Sequence, residues 1–248
     1  MAEIRALPPR TSSTPAVSGL PEPCSSCTAR SLTICAALND DEQVRLGRLA
    51  NTIRLKPHQT LFQDGDGADY VYNITCGSVA LSKSMMDGRR QITGFLGAGD
   101  FLGLNARDTH SITAEALTET HLCRFPQRPF RRLLAEMPNL EHRLLALAET
   151  ELALAQDQIL LLGRKTAMER IASFLLMQSE RVVMRGLPGS PVTLPMSRAD
   201  VADYLGLTIE TVSRCFTRLR KLDVIALPAP DRVQIRQPDR LKALSEAA

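Results

Sequence analysis

Val212, Phe216 and Leu219 recur at spacings of four and three, which puts them on one face of a helix. Glu210, Ser213, Arg214 and Thr217 fall on the opposite face. The stretch before it reads as a shorter helix ending in a tight turn. Ser197 caps that helix, and Asp200, three residues on, can reach back as in a capping box. Gly206 supplies the turn and Thr208 caps the second helix. The pattern over Met196–Lys221 is thus a helix-turn-helix. A second helix of about three turns with Glu, Ser and Arg on its free face suits the DNA major groove. Arg can hold guanine O6 and N7, Glu can accept from cytosine N4, and Ser can serve either partner. Thr208, Glu210, Ser213, Arg214, Thr217 and Arg218 are therefore the candidate DNA contacts. An ordinary surface helix in a small bundle would show the same bare pattern.

Pro138 opens a long helix, running to about Leu162, with two apolar stripes. Leu145, Ala148, Leu152, Ala155, Ile159 and Leu162 alternate spacings of three and four, as in a coiled-coil seam. Leu140, Leu144, Leu147, Leu154 and Leu161 occupy another side. One domain wall cannot easily cover both, so the first stripe is expected to meet an identical helix in a homodimer and the second to pack on its own chain. Between Ile53 and Phe125 the pattern changes to short β-rich pieces: TLFQ, YVYNIT, SVALSKS, RQITGFL and THLCRF, punctuated by glycines. Strands at that spacing predict an all-β barrel or roll. A short helix precedes them, from a cap at Asn39 to about Ala50, with Glu42 at its third position. After Gly163 comes a helix over roughly Thr166–Arg181, then a Gly/Pro loop at Gly186–Pro191. Val224–Leu227 and Arg232–Ile235 can form a small β-wing.

The predicted architecture is α+β, with a β-roll of the cupin-like double-stranded kind, a long helix and a winged helix-turn-helix. The expected divisions are a flexible tail over 1–23, a cysteine segment plus roll over 24–137, a dimerisation helix over 138–163 and the winged helix-turn-helix over 164–248. With 248 residues the chain can build two cores. Its +3 net charge is too weak to argue for nucleic acid. Met196–Arg240 holds eight Lys/Arg against six Asp/Glu, so any DNA-facing field must come from arrangement. No apolar run approaches a membrane span, and the Pro/Ser/Thr-rich start lacks a signal-peptide core. A cytoplasmic protein is expected, with no membrane partner, and there its six cysteines are ligands or reduced thiols rather than disulfides. Cys24 and Cys27 form a C-x2-C pair, Cys35 follows, and Cys123 lies far off near the end of the roll. That inventory suits a [4Fe–4S] cluster, and on residues alone it suits zinc equally. Cys76 and Cys215 are expected to be ordinary small thiols, with redox control at Cys215 as a variant reading. Histidines 58, 110, 121 and 142 are scattered without ligand spacing and are expected at the surface.

The order roll, long helix, winged helix-turn-helix resembles the CRP/FNR superfamily of bacterial transcription regulators. QITGFLGAGDFLG, ALTETHLCRFP, MPNL, ILLL and DYLGLTIETVSR carry the resemblance, which extends from about Cys24 to the end. Glu210, Ser213 and Arg214 match the Glu-x-x-Ser-Arg of the FNR branch. The resemblance implies a palindromic double-stranded operator of the TTGAT-N4-ATCAA type, a homodimer and one oxygen-sensing [4Fe–4S] cluster per subunit on Cys24, Cys27, Cys35 and Cys123. It also implies contact with RNA polymerase, with the Met85–Arg90 loop as candidate. Seven residues separate Cys27 from Cys35 where the best-known spacing has five, which resembles the FnrN-type variant. Ala155 stands where the best-studied FNR regulator has an Asp that disfavours dimers.

Rival readings keep the fold and change the sensor. Zinc or redox-active thiols could replace the cluster. A cyclic nucleotide would need a Glu and an Arg where this chain has Leu104 and His110, although Ser111 remains. A dithiol enzyme built on CSSC would need a βαβ setting that the surrounding pattern lacks. No paired carboxylates, Ser/His/Asp set or phosphate-cradling loop stands out, so an enzyme is not expected.

Overall fold

The computed structural model describes residues 19–22, 24–104 and 108–246. The expected tail lies outside the described residues apart from 19–22. The chain forms two compact units, Pro15–Gln156 and Asp157–Ala248.

The first unit starts with two 3-10 turns, Cys24–Ser26 and Ile34–Ala37, and helix α1, Asp40–Gly47. Asn39 and Glu42 cap α1 reciprocally, with backbone-to-side-chain bonds of 2.9 and 3.0 Å. Eight strands follow: β1 Asn51–Leu55, β2 Thr60–Phe62, β3 Tyr70–Cys76, β4 Ser78–Ser84, β5 Arg90–Gly97, β6 Phe101–Leu102, β7 Thr113–Ala116 and β8 Thr120–Pro126. They build two four-stranded sheets, ordered β1-β8-β3-β6 and β2-β7-β4-β5, whose pairings are antiparallel. Leu55, Phe62, Tyr72, Ile74, Val79, Leu96, Ala114 and Leu122 join the two sheets in one core. A second core covers the outside of the first sheet. There Val71 and Phe125 meet Ile34, Leu38, Leu46, Phe130, Met137, Leu140 and Leu144. Phe130 comes from helix α2, Gln127–Glu136, and the last two leucines from helix α3, Pro138–Arg164.

The two stripes of α3 part as their spacing requires. Leu140, Leu144 and Leu161 are buried, while Leu145, Leu152 and Ile159 are 57%, 61% and 72% exposed. Three large aliphatic side chains open to water on one line of a helix leave an unsatisfied apolar face. Leu162 departs from that stripe. It is half-buried, and its Cδ2 lies 3.4 Å from where a Cβ on Gly206 would stand. The boundary between the units falls within α3, after Gln156, rather than at either end of it.

The second unit continues with α4, Ala167–Met184, then β9, Val192–Thr193, α5, Arg198–Leu205, and α6, Ile209–Lys221. The wing, β10 Ile225–Ala229 and β11 Arg232–Ile235, pairs with β9 in the order β10-β11-β9, and α7, Pro238–Glu246, ends the unit. Ser197 and Asp200 form the expected capping box, and Gly206 takes the left-handed φ of 61° that ends α5. Among the described residues no helix is long and apolar enough to cross a membrane.

Candidate functional site

Strand alternation decides where Cys123 points. Leu122 belongs to the core between the sheets, so the next residue must project from the outer face. There Cys123 packs against the second core, opposite Thr52 of β1 and Asn73 of β3. The N-terminal segment lies over that face. Cys24, Cys27, Cys35 and Cys123 line one cavity together with Arg30, Gln43, Asn73, Thr75 and others. Gly47 allows the approach: a Cβ there would stand 3.1 Å from Pro21 and 3.4 Å from the Cys24 sulfur. The Gln43 amide nitrogen donates to the carbonyls of Cys35 and Leu38 at 3.3 and 3.0 Å, tying the second 3-10 turn to α1.

Burial pushes the Cys35 thiol up to about 11, against a lowering hydrogen bond from Thr33. Burial and the three neighbouring cysteines push Cys123 up to about 12. Burial and Cys27 raise Cys24, and Arg30 opposes them. Such thiols stay protonated at neutral pH unless a cation replaces the proton. The cavity wall is also incompletely paired: Asn73 Oδ1 and Gln43 Oε1 are buried without a hydrogen-bond partner. Among the described residues no group of three or more His, Cys, Asp or Glu converges on a single metal-ion position. The donor set of the cavity is soft and fourfold. Four thiols of this kind are the ligand set that an iron–sulfur cluster or a zinc ion uses.

Cys76 is exposed and does not line this cavity. Cys215 is buried on the packed side of α6, and its pKa is raised by burial, which makes it a poor nucleophile. Arg30, Gln43, Asn73 and Thr75 were not foreseen from the sequence. They are a loop residue, a helix residue and two residues of β3 that share the strand period, and nothing in the sequence links the three places.

The histidine expectation needs one correction. His110 is 3% exposed and stacks on Phe62 with ring centres 3.6 Å apart and planes 5° off parallel. Burial lowers its pKa, against Asp66 and Asp69. Leu104 and this stacked His110 stand where the resemblance would place the acid and the arginine of a nucleotide site.

The second candidate site lies on α6. Val212, Cys215, Phe216 and Leu219 are buried, and Glu210, Ser213, Arg214, Thr217 and Arg218 are exposed together. Thr208, also exposed, accepts from the Thr211 backbone at 3.3 Å and starts the helix. The Arg214 Nη2 donates to Thr211 Oγ1 at 3.2 Å. The Glu210 carboxylate is held below its usual pKa by its own backbone N–H, Thr208 and Arg214, as an acid at a helix N-terminus should be. Ser213, Arg214, Thr217, Arg218 and Lys221 form one open basic surface. Behind it the Arg198 guanidinium sits 3.5 Å from the Phe216 ring centre and fixes the start of α5 on α6.

A family model described as a cyclic nucleotide-binding domain matches residues 52–137, and one described as a Crp-like helix-turn-helix domain matches residues 169–244. The transcriptional activatory protein AadR of Rhodopseudomonas palustris is 41% identical over 221 residues, covering 89% of this chain and 92% of that protein. The transcriptional activator protein FnrL of Cereibacter sphaeroides is 37% identical over 228 residues, covering 90% of this chain and 91% of its own length. Among solved structures, FixK2 from Bradyrhizobium japonicum superposes with a TM-score of 0.75 at 35% identity, covering 80% of this chain and 98% of that one. The chain belongs to the CRP/FNR family, whose members matched here are transcription regulators and not enzymes.

Proposed function

We propose that this chain is a homodimeric, oxygen-responsive transcription activator that holds one [4Fe–4S] cluster per subunit and binds a TTGAT-N4-ATCAA-type dyad. The observation that carries the reading is that four cysteines from two distant parts of the chain line one cavity. The named functions of FnrL and AadR as activators agree with a regulatory site.

When bound, such a cluster supplies an oxygen-labile link among four thiolates. Cys24, Cys27 and Cys35 then tie the N-terminal segment to Cys123 on β8. That segment covers the face on which Leu140 and Leu144 of α3 pack, so the tie steadies the start of the dimer helix. Leu145, Leu152 and Ile159 meet their counterparts in the second subunit, with Ala148 and Ala155 between them. Two copies of α6 at fixed spacing present Glu210, Ser213 and Arg214 to successive major grooves. Losing the tie shifts the population away from that spacing. The exposed Met85 and Met86 on the β4–β5 turn, with Arg89 beside them, offer a contact for RNA polymerase.

Iron and acid-labile sulfide analysis after anaerobic purification tests the reading. Wild type and Cys76→Ser should carry about four irons per subunit. Single Ser variants of Cys24, Cys27, Cys35 or Cys123 should lose them together with the broad visible absorbance. Zinc copurifying in place of iron would overturn the sensing proposal and leave the DNA-binding assignment standing. Loss on Cys76→Ser with retention on Cys123→Ser would overturn the ligand set.

A further inference from the structure

The cavity wall carries a positive charge that no acidic group among the described residues balances. Arg30 is 7% exposed, and its Nη2 donates to the Cys24 carbonyl at 2.6 Å. Its side chain lines the same cavity as the four thiols. Among the described residues no carboxylate pairs with it. Glu22, the acid of the neighbouring turn, is exposed and accepts instead from Ser25 and Ser26. A guanidinium withdrawn from water with one carbonyl for company is costly, and a chain that keeps one there has a use for it.

We infer that Arg30 is the built-in counter-charge of the cavity: a positioning residue that is left unpaired when the four thiols are free and is paired once they are occupied as metal-bound thiolates. This rests on the cluster reading above and adds to it a residue that holds no metal itself. The chemistry is that of charge balance. Four thiolates outweigh the positive charge of an iron–sulfur core, so the occupied cavity is anionic. An anion beside a buried guanidinium is stabilised far more than it would be in water, because little solvent screens the pair. The bond to the Cys24 carbonyl adds geometry. It holds the charge against the backbone of one ligand while the chain folds the others around it. Occupied and free forms therefore value Arg30 with opposite sign, which an ordinary structural arginine does not do.

That sign reversal is the test. Arg30→Met and Arg30→Lys would be purified anaerobically beside wild type, each as full-length protein. Three readings would be taken: iron and sulfide per subunit, the lifetime of the visible absorbance in air, and Tm before and after removal of iron by a chelator. For Arg30→Met the cluster lifetime should fall about 10-fold or more, the scale on which partners behind metal ligands act. Its iron-free Tm should rise above that of iron-free wild type, because an unpaired buried charge has been removed. Arg30→Lys keeps the charge and should retain most of the lifetime. A lower Tm for Arg30→Met in the iron-free form would overturn the inference, as would an unchanged lifetime. Wild type that holds no iron would sink the cluster reading itself, a result separate from wild type and Arg30→Met holding it equally well.

Discussion

Arg214 stands exposed on α6 with its guanidinium steadied by Thr211, one turn back on the same helix. A side chain held in one orientation loses less freedom when it docks on a base edge. Replacing Arg214 with Ala should cost about 1–3 kcal/mol on the cognate dyad and relax preference at one base pair. Arg218 is exposed further along the helix and should touch phosphate, so Arg218→Ala should weaken all sequences alike and lower the salt slope by about 1. Titrating duplexes with single-base changes at two salt concentrations separates the two roles, and a uniform loss for Arg214→Ala would speak against base reading. The exposure of these side chains was legible in the sequence because helical spacing alone sorts the buried residues from the exposed ones. The cavity was less so. Spacing could not choose between Cys76 and Cys123, whereas strand alternation sends Cys123 to the covered face and Cys76 lies exposed beyond a register shift. Arg30 and Asn73 left no trace, since burial of a single polar residue follows from what folds over it.

α3 is the element in which sequence pattern and structure agree most directly. Its two stripes predict two partners, and only one stripe finds its partner within the chain. Leu152→Glu should place a charge at the centre of the free stripe and give a monomer in sedimentation that no longer binds the dyad. Ala155 is exposed between Leu152 and Ile159 and brings no charge to the seam. The iron-free protein should therefore remain dimeric at micromolar concentration, and a fully monomeric iron-free form would contradict this. A second device sits at the C-terminal end of α3. The Arg170 guanidinium donates to the carbonyls of Leu162, Lys165 and Leu205 at 2.7–2.9 Å, and Gln158 donates to the Tyr204 carbonyl at 2.7 Å. The last turns of α3 and the end of α5 are thus fastened by side chains from α3 and α4. Arg170→Met leaves those carbonyls without their donor and should cost about 1–3 kcal/mol, read as a lower Tm, with weaker operator binding. Unchanged Tm and unchanged binding would remove this role. Among the elements missed in the sequence, the shortest strands had too few residues to show a period. β6 and β9 have two residues each, whereas α2 went unread although Phe130, Leu133, Leu134 and the following Met137 recur at helical spacing and pack on the second core.

On the scale of the whole molecule, α3 is, among the described residues, the helix that contributes to both compact units. The cysteine cavity belongs to the first and the helix α6 to the second, so α3 is the covalent path between the cavity and the DNA-binding unit. The broad plan was legible because each part has its own period: two in the strands, three and four in the helices. The exact place where one unit ends was not, because nothing in an unbroken helix marks Gln156 as a boundary. The central claim is that oxygen and operator binding are coupled through the four thiols. The direct measurement is an anisotropy titration of a TTGAT-N4-ATCAA duplex with anaerobically purified wild type, repeated on the same sample after brief exposure to air. The account predicts tight, sequence-specific binding before exposure and a loss of about 10-fold or more after it, in step with the fall in visible absorbance. Equal affinity in both titrations, with the absorbance gone, would contradict it.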